Sequence, residues 1–370
     1  MITSAMIPVP LARLPWRLIW LVALICTIGV VTLYSAAGGS MSPWALKQGV
    51  TIIAFALRAV AISYIPESFV KQVTFPTYVI IMIMLIAVEM VGFVGKGAQR
   101  WVDLGFIRLQ PSEFMKPAIV VTLARFYDLL PPGDVRKWRG LWPAALLVLV
   151  PWILILIQPD LGTATMVLVG GVTVMFLAGL PMWYFLSAAG AAAAILPVAF
   201  AMMHDYQRKR VLIFMDPEAD PLGAGYHITQ SKIAIGSGGF WGKGYLNGSQ
   251  SHLKYLPEGH TDFVFATFVE EWGLVGGSLL IIAFGAVVLW GMRVALRAHS
   301  RFAQLTAAGL TTTIFFYVTV NLMMVMGLAP VVGVPLPLVS YGGSAVMTVM
   351  ICIGLLMGIE RQQRTRTSLT

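Results

Sequence analysis

Residues 255–292 read YLPEGHTDFVFATFVEEWGLVGGSLLIIAFGAVVLWGM. From Trp272 to Met292 there is no charged residue. A run of about 20 apolar residues is long enough to cross the roughly 30 Å hydrocarbon core of a bilayer as a helix. The first half is different in kind: Glu258, His260, Asp262, Glu270 and Glu271 crowd against the apolar run. A carboxylate close to lipid is costly, so those that are present mark a site of function. This stretch predicts a membrane span with polar chemistry at its edge.

The whole chain follows the same pattern. It has 370 residues, 58% hydrophobic and 11% charged, where a soluble globular domain carries about 25% charged residues. That excludes a soluble domain and predicts an all-α polytopic membrane protein, with residues 1–370 forming one integrated domain. The net charge of +9 does not point to nucleic acid. The basic residues lie between apolar runs rather than in a patch interleaved with aromatics. Cys26 and Cys352 both fall inside apolar segments, which argues against a disulfide or a zinc site. The first apolar run, near 18–33, precedes Ser35-Ala36-Ala37, a faint echo of a signal cleavage site. It is too long for a signal core, so it reads as an uncleaved first span.

Apolar stretches give about ten spans, near 17–37, 46–65, 73–94, 111–128, 141–158, 162–180, 182–203, 263–292, 304–326 and 340–359. The second carries Arg58, and a tight turn at Leu180-Pro181 joins the sixth to the seventh. Charge sets the sidedness. Arg13, Arg17, Lys71, Arg125, Arg136, Lys137, Arg139, Arg293, Arg297, Arg301, Arg361, Arg364 and Arg366 fall in connections that alternate onto one face. That face is expected to be cytoplasmic, with both termini on it. Residues 204–262 then form one large extracytoplasmic loop between spans 7 and 8. No inverted repeat of the transporter kind is visible.

Four polar groups fall at the outer side of this topology. In the opening stretch Pro257 can begin a helix, which would put Glu258 and Asp262 on one face. Two nearby carboxylates raise one pKa, which suits a general base. Glu270 and Glu271 would lie about 12–13 Å further in along that helix. In the second group, GAQRWVDLGFIRLQPSEFMK (97–116), Pro111 opens a span and Glu113 and Lys116 are placed to neutralise each other. Arg100 and Arg108 lie just outside, where guanidinium groups can meet phosphates or lipid headgroups. In the third, QPDLGTA (158–164), Asp160 can cap the next helix or face the same cavity as Asp262. The fourth is the glycine-rich part of the loop, 216–251. It fails the phosphate-loop pattern, because Ser237 stands where the first glycine is required and Gly244 follows Lys243. Gln230 and Lys232 are the better candidates for substrate contact there.

HDYQRKRV (204–211), DPEADPLGAGYHITQSKIAIGSGG (216–239) and LPEGHTDFVFA (256–266) resemble the SEDS family, the shape, elongation, division and sporulation proteins. QRWVDLG, LQPSE, QPDLGTA and PLVSYGGSA (337–345) agree, so the resemblance covers nearly the whole chain. The wording of the loop is similar to the elongation branch rather than the division branch. The resemblance implies a peptidoglycan glycosyltransferase of the bacterial inner membrane that polymerises lipid II, facing the periplasm. The family's essential acidic residue falls on Asp262. Its other functional positions fall on Arg108, Gln110, Glu113, Lys116 and Asp160. Arg100, Arg210, Gln230, Lys232, Glu258, His260 and Thr261 are candidates for substrate contact or support. A divalent cation, magnesium or manganese, is a candidate helper at Asp160 and Asp262. The resemblance also implies an undecaprenyl-linked glycan strand as product, a class B penicillin-binding protein as partner, and work within an elongation complex. A lipid II flippase is the alternative reading. It would need a polar path into the cytoplasmic half, whereas the charges cluster at the outer end.

Overall fold

The computed structural model describes residues 14–91, 93–95, 98–103, 108–202, 208, 224–253 and 255–367. Ten helices of 17 to 34 residues dominate them. These are α1 (Trp16–Ala36), α2 (Ala45–Ser63), α3 (Glu67–Val91), α4 (Pro111–Leu129), α5 (Trp138–Ile157), α6 (Leu161–Leu177) and α7 (Met182–Met202). After two lesser helices, α8 (Ala224–Gly238) and α9 (Ser249–His252), come α10 (Val264–Arg297), α11 (Arg301–Val325) and α12 (Gly343–Thr367). All ten expected spans are present as helices.

Seven of the ten are long and apolar enough to cross a membrane by length and composition, and α6 and the first part of α7 are shorter apolar helices. The remaining one, α4, carries Glu113, Lys116, Arg125 and Asp128 and is nevertheless among the most enclosed. Burial is inverted relative to a water-soluble protein. Trp20, Leu57, Ile83 and Ile282 point outward, while Glu113, Lys116, Asp160, Glu270, Glu271 and Asn321 are buried. Lipid accepts the apolar exterior, and the polar groups gather where they can satisfy one another.

One addition to the all-helical expectation lies between α3 and α4. Strands β1 (Phe93–Gly95), β2 (Ala98–Asp103) and β3 (Arg108–Leu109) form a small antiparallel sheet in the order β1-β2-β3. Val94 pairs with Gln99 and Val102 with Leu109. The sheet caps one end of the bundle, called here the loop end because 224–263 and 328–342 lie there too. The opposite, basic end carries Arg17, Arg293, Arg297 and Arg364.

The apolar run predicts one continuous span over 263–292. The structure breaks it at Gly273, which has φ 65° and ψ −167°. That conformation is essentially restricted to glycine. A straight helix would hold Phe265 and Gly277 about 18 Å apart. Instead, a methyl built on Gly277 would lie 2.8 Å from Val269 Cγ2 and 3.5 Å from the tip of Phe265. The 264–272 arm therefore folds back against the start of the membrane-crossing arm, 274–297. Glycine makes this close turn possible. The loop seals it through backbone hydrogen bonds from Lys243 N to Glu270 O, Gly244 N to Glu271 O and Leu274 N to Gly239 O. The glycine-rich loop is thus a fitted cover for this turn, with Gly242 (φ 85°) set directly against Gly273.

Candidate active site

Asp262 sits in a run of turns over 256–263, not in a helix. The expectation that Pro257 starts a helix and aligns Glu258 with Asp262 is overturned. Glu258 has φ 53°, and its carbonyl accepts from Thr261 N (3.0 Å) and Phe263 N (3.3 Å). Pro257 cannot donate to any such turn, and the chain reaches helical geometry only at Val264. Glu258 instead takes the Thr261 hydroxyl on its carboxylate at 2.6 Å.

The turn is fixed from behind. Asn321 Nδ2 donates to the Asp262 carbonyl and to Val334 O, each at 2.8 Å. Ser340 Oγ donates to Thr261 O at 2.6 Å, and Tyr341 N to His260 O at 2.9 Å. Ser340 in turn is tied to α2 through Gln48 Nε2, 2.8 Å from its carbonyl. His260 stacks on Trp44, with ring centroids 4.0 Å apart. The side chain of Asp262 is half-buried and lies against Gly333, where an added methyl would come within 3.6 Å of Oδ2. The backbone around the carboxylate is rigid while the carboxylate itself remains within reach of solvent. That arrangement suits a group that exchanges a proton.

One turn back along α11 from Asn321, Tyr317 belongs to a second polar group. Lys116 Nζ is 2.5 Å from Glu113 Oε1 and 2.6 Å from Tyr317 Oη, and Tyr317 Oη donates to Glu113 Oε2 at 2.6 Å. The Lys116 ammonium also lies over the Tyr317 ring. The expected Glu113–Lys116 pair is present, and the tyrosine completes it. Lys116 is enclosed within the bundle and occupied by these partners.

Asp160 caps α6 as expected, accepting from Thr163 N at 3.1 Å, and also takes Gln110 Nε2 at 2.9 Å. Two residues on, Gly162 packs against Val332 and Val334, so the 332–334 segment touches both the Asp160 cap and Asp262. Among the described residues no three His, Cys, Asp or Glu side chains gather as an ion cage. Arg100 in β2 bonds the Gln158 carbonyl (3.1 Å) and the Pro159 carbonyl, joining the sheet to the same α5–α6 turn. Two of its five donors are accounted for in this way.

Lys232 is exposed and lies across Gly327 at the C-terminal end of α11, while Gln230 is half-buried on α8. Arg108 is placed only by the backbone of β3, and Arg210 lies outside the described residues. Sequence reasoning missed Asn321, Tyr317, Ser340 and His227. The His227 ring stacks on Phe263, with centroids 5.9 Å apart, and its Nδ1 is buried without a hydrogen-bond partner among the described residues. Asn321 carried the one readable signal, a carboxamide inside an apolar span, where it must find partners.

Glu270 and Glu271 require a correction. They do not lie deeper than Asp262. Glu271 accepts from Ser35 in the last turn of α1, at the rim of the loop end, and is 3.6 Å from His252 Nε2. Glu270 takes Lys243 Nζ (2.7 Å), Ser249 Oγ (3.2 Å) and the backbone N–H of Gln250 (2.9 Å) and Ser251 (3.4 Å). The 264–272 arm leads from Asp262 toward the loop before the fold-back at Gly273, so both glutamates clasp the loop.

Fold and site together define a polytopic membrane protein whose polar machinery gathers at one end of the bundle. The family model for FtsW/RodA/SpoVE cell cycle proteins matches residues 16–365, and the chain belongs to that family. It is 44% identical over 354 residues to the peptidoglycan glycosyltransferase MrdB of Escherichia coli K12, covering 95% of this chain and 94% of that one. It is 34% identical over 363 residues to stage V sporulation protein E of Bacillus subtilis, covering 94% and 97%. Among solved structures it matches a chain of a peptidoglycan synthase complex that coordinates polymerization and crosslinking, with TM-score 0.82, 32% identity and coverage of 95% and 98%. The rod shape determining protein RodA of Thermus thermophilus aligns with TM-score 0.72, 28% identity and coverage of 95% and 97%.

Proposed function

We propose that this chain is a peptidoglycan glycosyltransferase of the elongation type, joining lipid II units into glycan strands in the inner membrane. The relatives' names and the fold support the activity. The observation that carries the residue assignment is the Asp262 turn: its backbone is locked by Asn321 and Ser340, and its carboxylate is left half-buried beside Gly333.

Asp262 acts as the general base. It takes the proton of the acceptor's N-acetylglucosamine 4-hydroxyl as that oxygen attacks C1 of the N-acetylmuramic acid at the strand's reducing end. The new C1–O4 bond forms as the C1–O bond to pyrophosphate breaks, and undecaprenyl pyrophosphate leaves with the bonding electrons. An α-linked donor becoming a β-linked strand is one displacement with inversion. Pyrophosphate needs no acid to leave, so one carboxylate suffices, unlike the pair in glycosidases. Positive charge at the leaving group comes from the arginines of the small sheet and from Lys232, with the Glu113–Lys116–Tyr317 group holding α4 and α11 in register behind them. A divalent cation at the site would supply further charge. The basic end is cytoplasmic, and the site opens to the periplasm.

A crosslinking transpeptidase of the class B penicillin-binding type is the partner. The test is polymerisation of purified lipid II in detergent by the chain together with such a partner. Long glycan made by the wild type and lost in Asp262→Asn supports the assignment. Unchanged polymer from Asp262→Asn overturns the base. Absence of polymer together with lipid II translocation in liposomes would replace the enzyme with a flippase.

A further inference from the structure

The basic end holds a cavity of about 1160 Å³ between the start of α1, the end of α10 and the last part of α12. Trp290, Arg293, Val294 and Arg297 face it at positions i, i+3, i+4 and i+7 of α10, so one stripe of that helix lines its wall. Arg17 comes from the first turn of α1, and Glu360 and Arg364 from successive turns of α12. Among the described residues, four guanidinium groups thus meet one carboxylate. One oxygen of that carboxylate is engaged, with Glu360 Oε1 2.6 Å from Arg364 Nη2.

Among the described residues, Arg17, Arg293 and Arg297 form no ion pair with protein. Arg293 and Arg297 are four apart on one helix face, where like charges repel. All three are exposed, so their charge faces outward from the cavity wall. The clustered positive charge suits the cavity to an anion.

The surroundings identify that anion. The cavity lies where helices leave the apolar region, and Trp16 and Trp290 line it. Tryptophan at helix ends marks the headgroup level. Leu14 and Val294 give it an apolar margin. We propose that this cavity is a binding site for the phosphodiester headgroup of an anionic phospholipid in the leaflet at the basic end, with Arg17, Arg293 and Arg297 as its cations. Basic pockets between membrane helices take such headgroups, and guanidinium matches phosphate oxygens in a bidentate way.

The test is native mass spectrometry of the full chain with phosphatidylglycerol, and separately with phosphatidylcholine as the zwitterionic control. The wild type is expected to retain one more phosphatidylglycerol than the variant Arg293→Gln/Arg297→Gln, with an affinity loss of about tenfold. Arg17→Gln, on a different helix, should give a smaller loss in the same direction. Arg293→Lys/Arg297→Lys should keep most of the preference. Equal retention of both lipids by the wild type, or an unchanged preference in both glutamine variants, overturns the proposal. Displacement of the bound lipid by millimolar inorganic phosphate would show a free-anion site instead, and would also overturn it.

Discussion

Asp262 and the pair Glu270–Glu271 stand eight and nine positions apart in one stretch, yet the fold treats them in opposite ways. Glu270 is completely buried and meets a lysine, a hydroxyl and two backbone N–H groups. Around Asp262 it is the backbone that is fastened, through Asn321 and Ser340, while the carboxylate stays half-buried. A buried carboxylate that meets several donors is fixed in place and does structural work. One with a rigid backbone and an accessible side chain is poised to react. Side-chain identity does not separate the two cases, whereas burial does.

The largest expected effect breaks that comparison at its chemical side. Asp262→Asn should cut polymerisation by about 10²- to 10⁴-fold, the range of a lost general base, with the thermal midpoint unchanged. A comparable fall in the thermal midpoint would reclassify Asp262 as a structural residue like Glu270. Glu270→Ala is expected to do the reverse. It strands Lys243 and the donors of 249–251, costing about 3 kcal/mol of stability. Thermal unfolding in detergent reads this directly, and a midpoint equal to wild type would remove the clasp from the structural ledger.

Asn321→Leu sharpens the boundary between the two. It keeps the apolar span but releases the Asp262 carbonyl. A catalytic group displaced by about 1 Å loses up to 10²-fold, so kcat should fall about tenfold or more while lipid II KM changes little. A change confined to KM would mean that Asn321 shapes binding rather than the base. The smallest effect is expected at Tyr317→Phe, which removes one hydroxyl from the Glu113–Lys116 pair. It should cost about 1–2 kcal/mol, seen as a lower thermal midpoint with polymerisation largely kept.

Much of the fold was legible. All ten helices, the Asp160 cap and the Glu113–Lys116 pair follow from local rules: apolar length, an Asp before a helix, and opposite charges three apart. The small sheet was not legible, because β1 and β3 have only a few residues each and no strong alternation. The site was half legible. Asp262 stood out as a carboxylate at a lipid boundary, but Tyr317, Asn321 and Ser340 come from spans distant in sequence. Their roles exist only because α11 and the 331–341 segment pack beside the turn.

The sequence by itself determined a lipid-embedded helical bundle with its acidic machinery at one end, because hydrophobic length and charge placement act locally and independently of packing. Only the tertiary structure decided which acid is which. A single glycine turn at 273 reverses the chain, so that Glu270 and Glu271 at the end of the preceding arm are buried clasping the loop, while Asp262 stays half-buried in its own turn. A positive-φ turn has no periodicity to betray it, and its consequence depends on what the reversed arm meets.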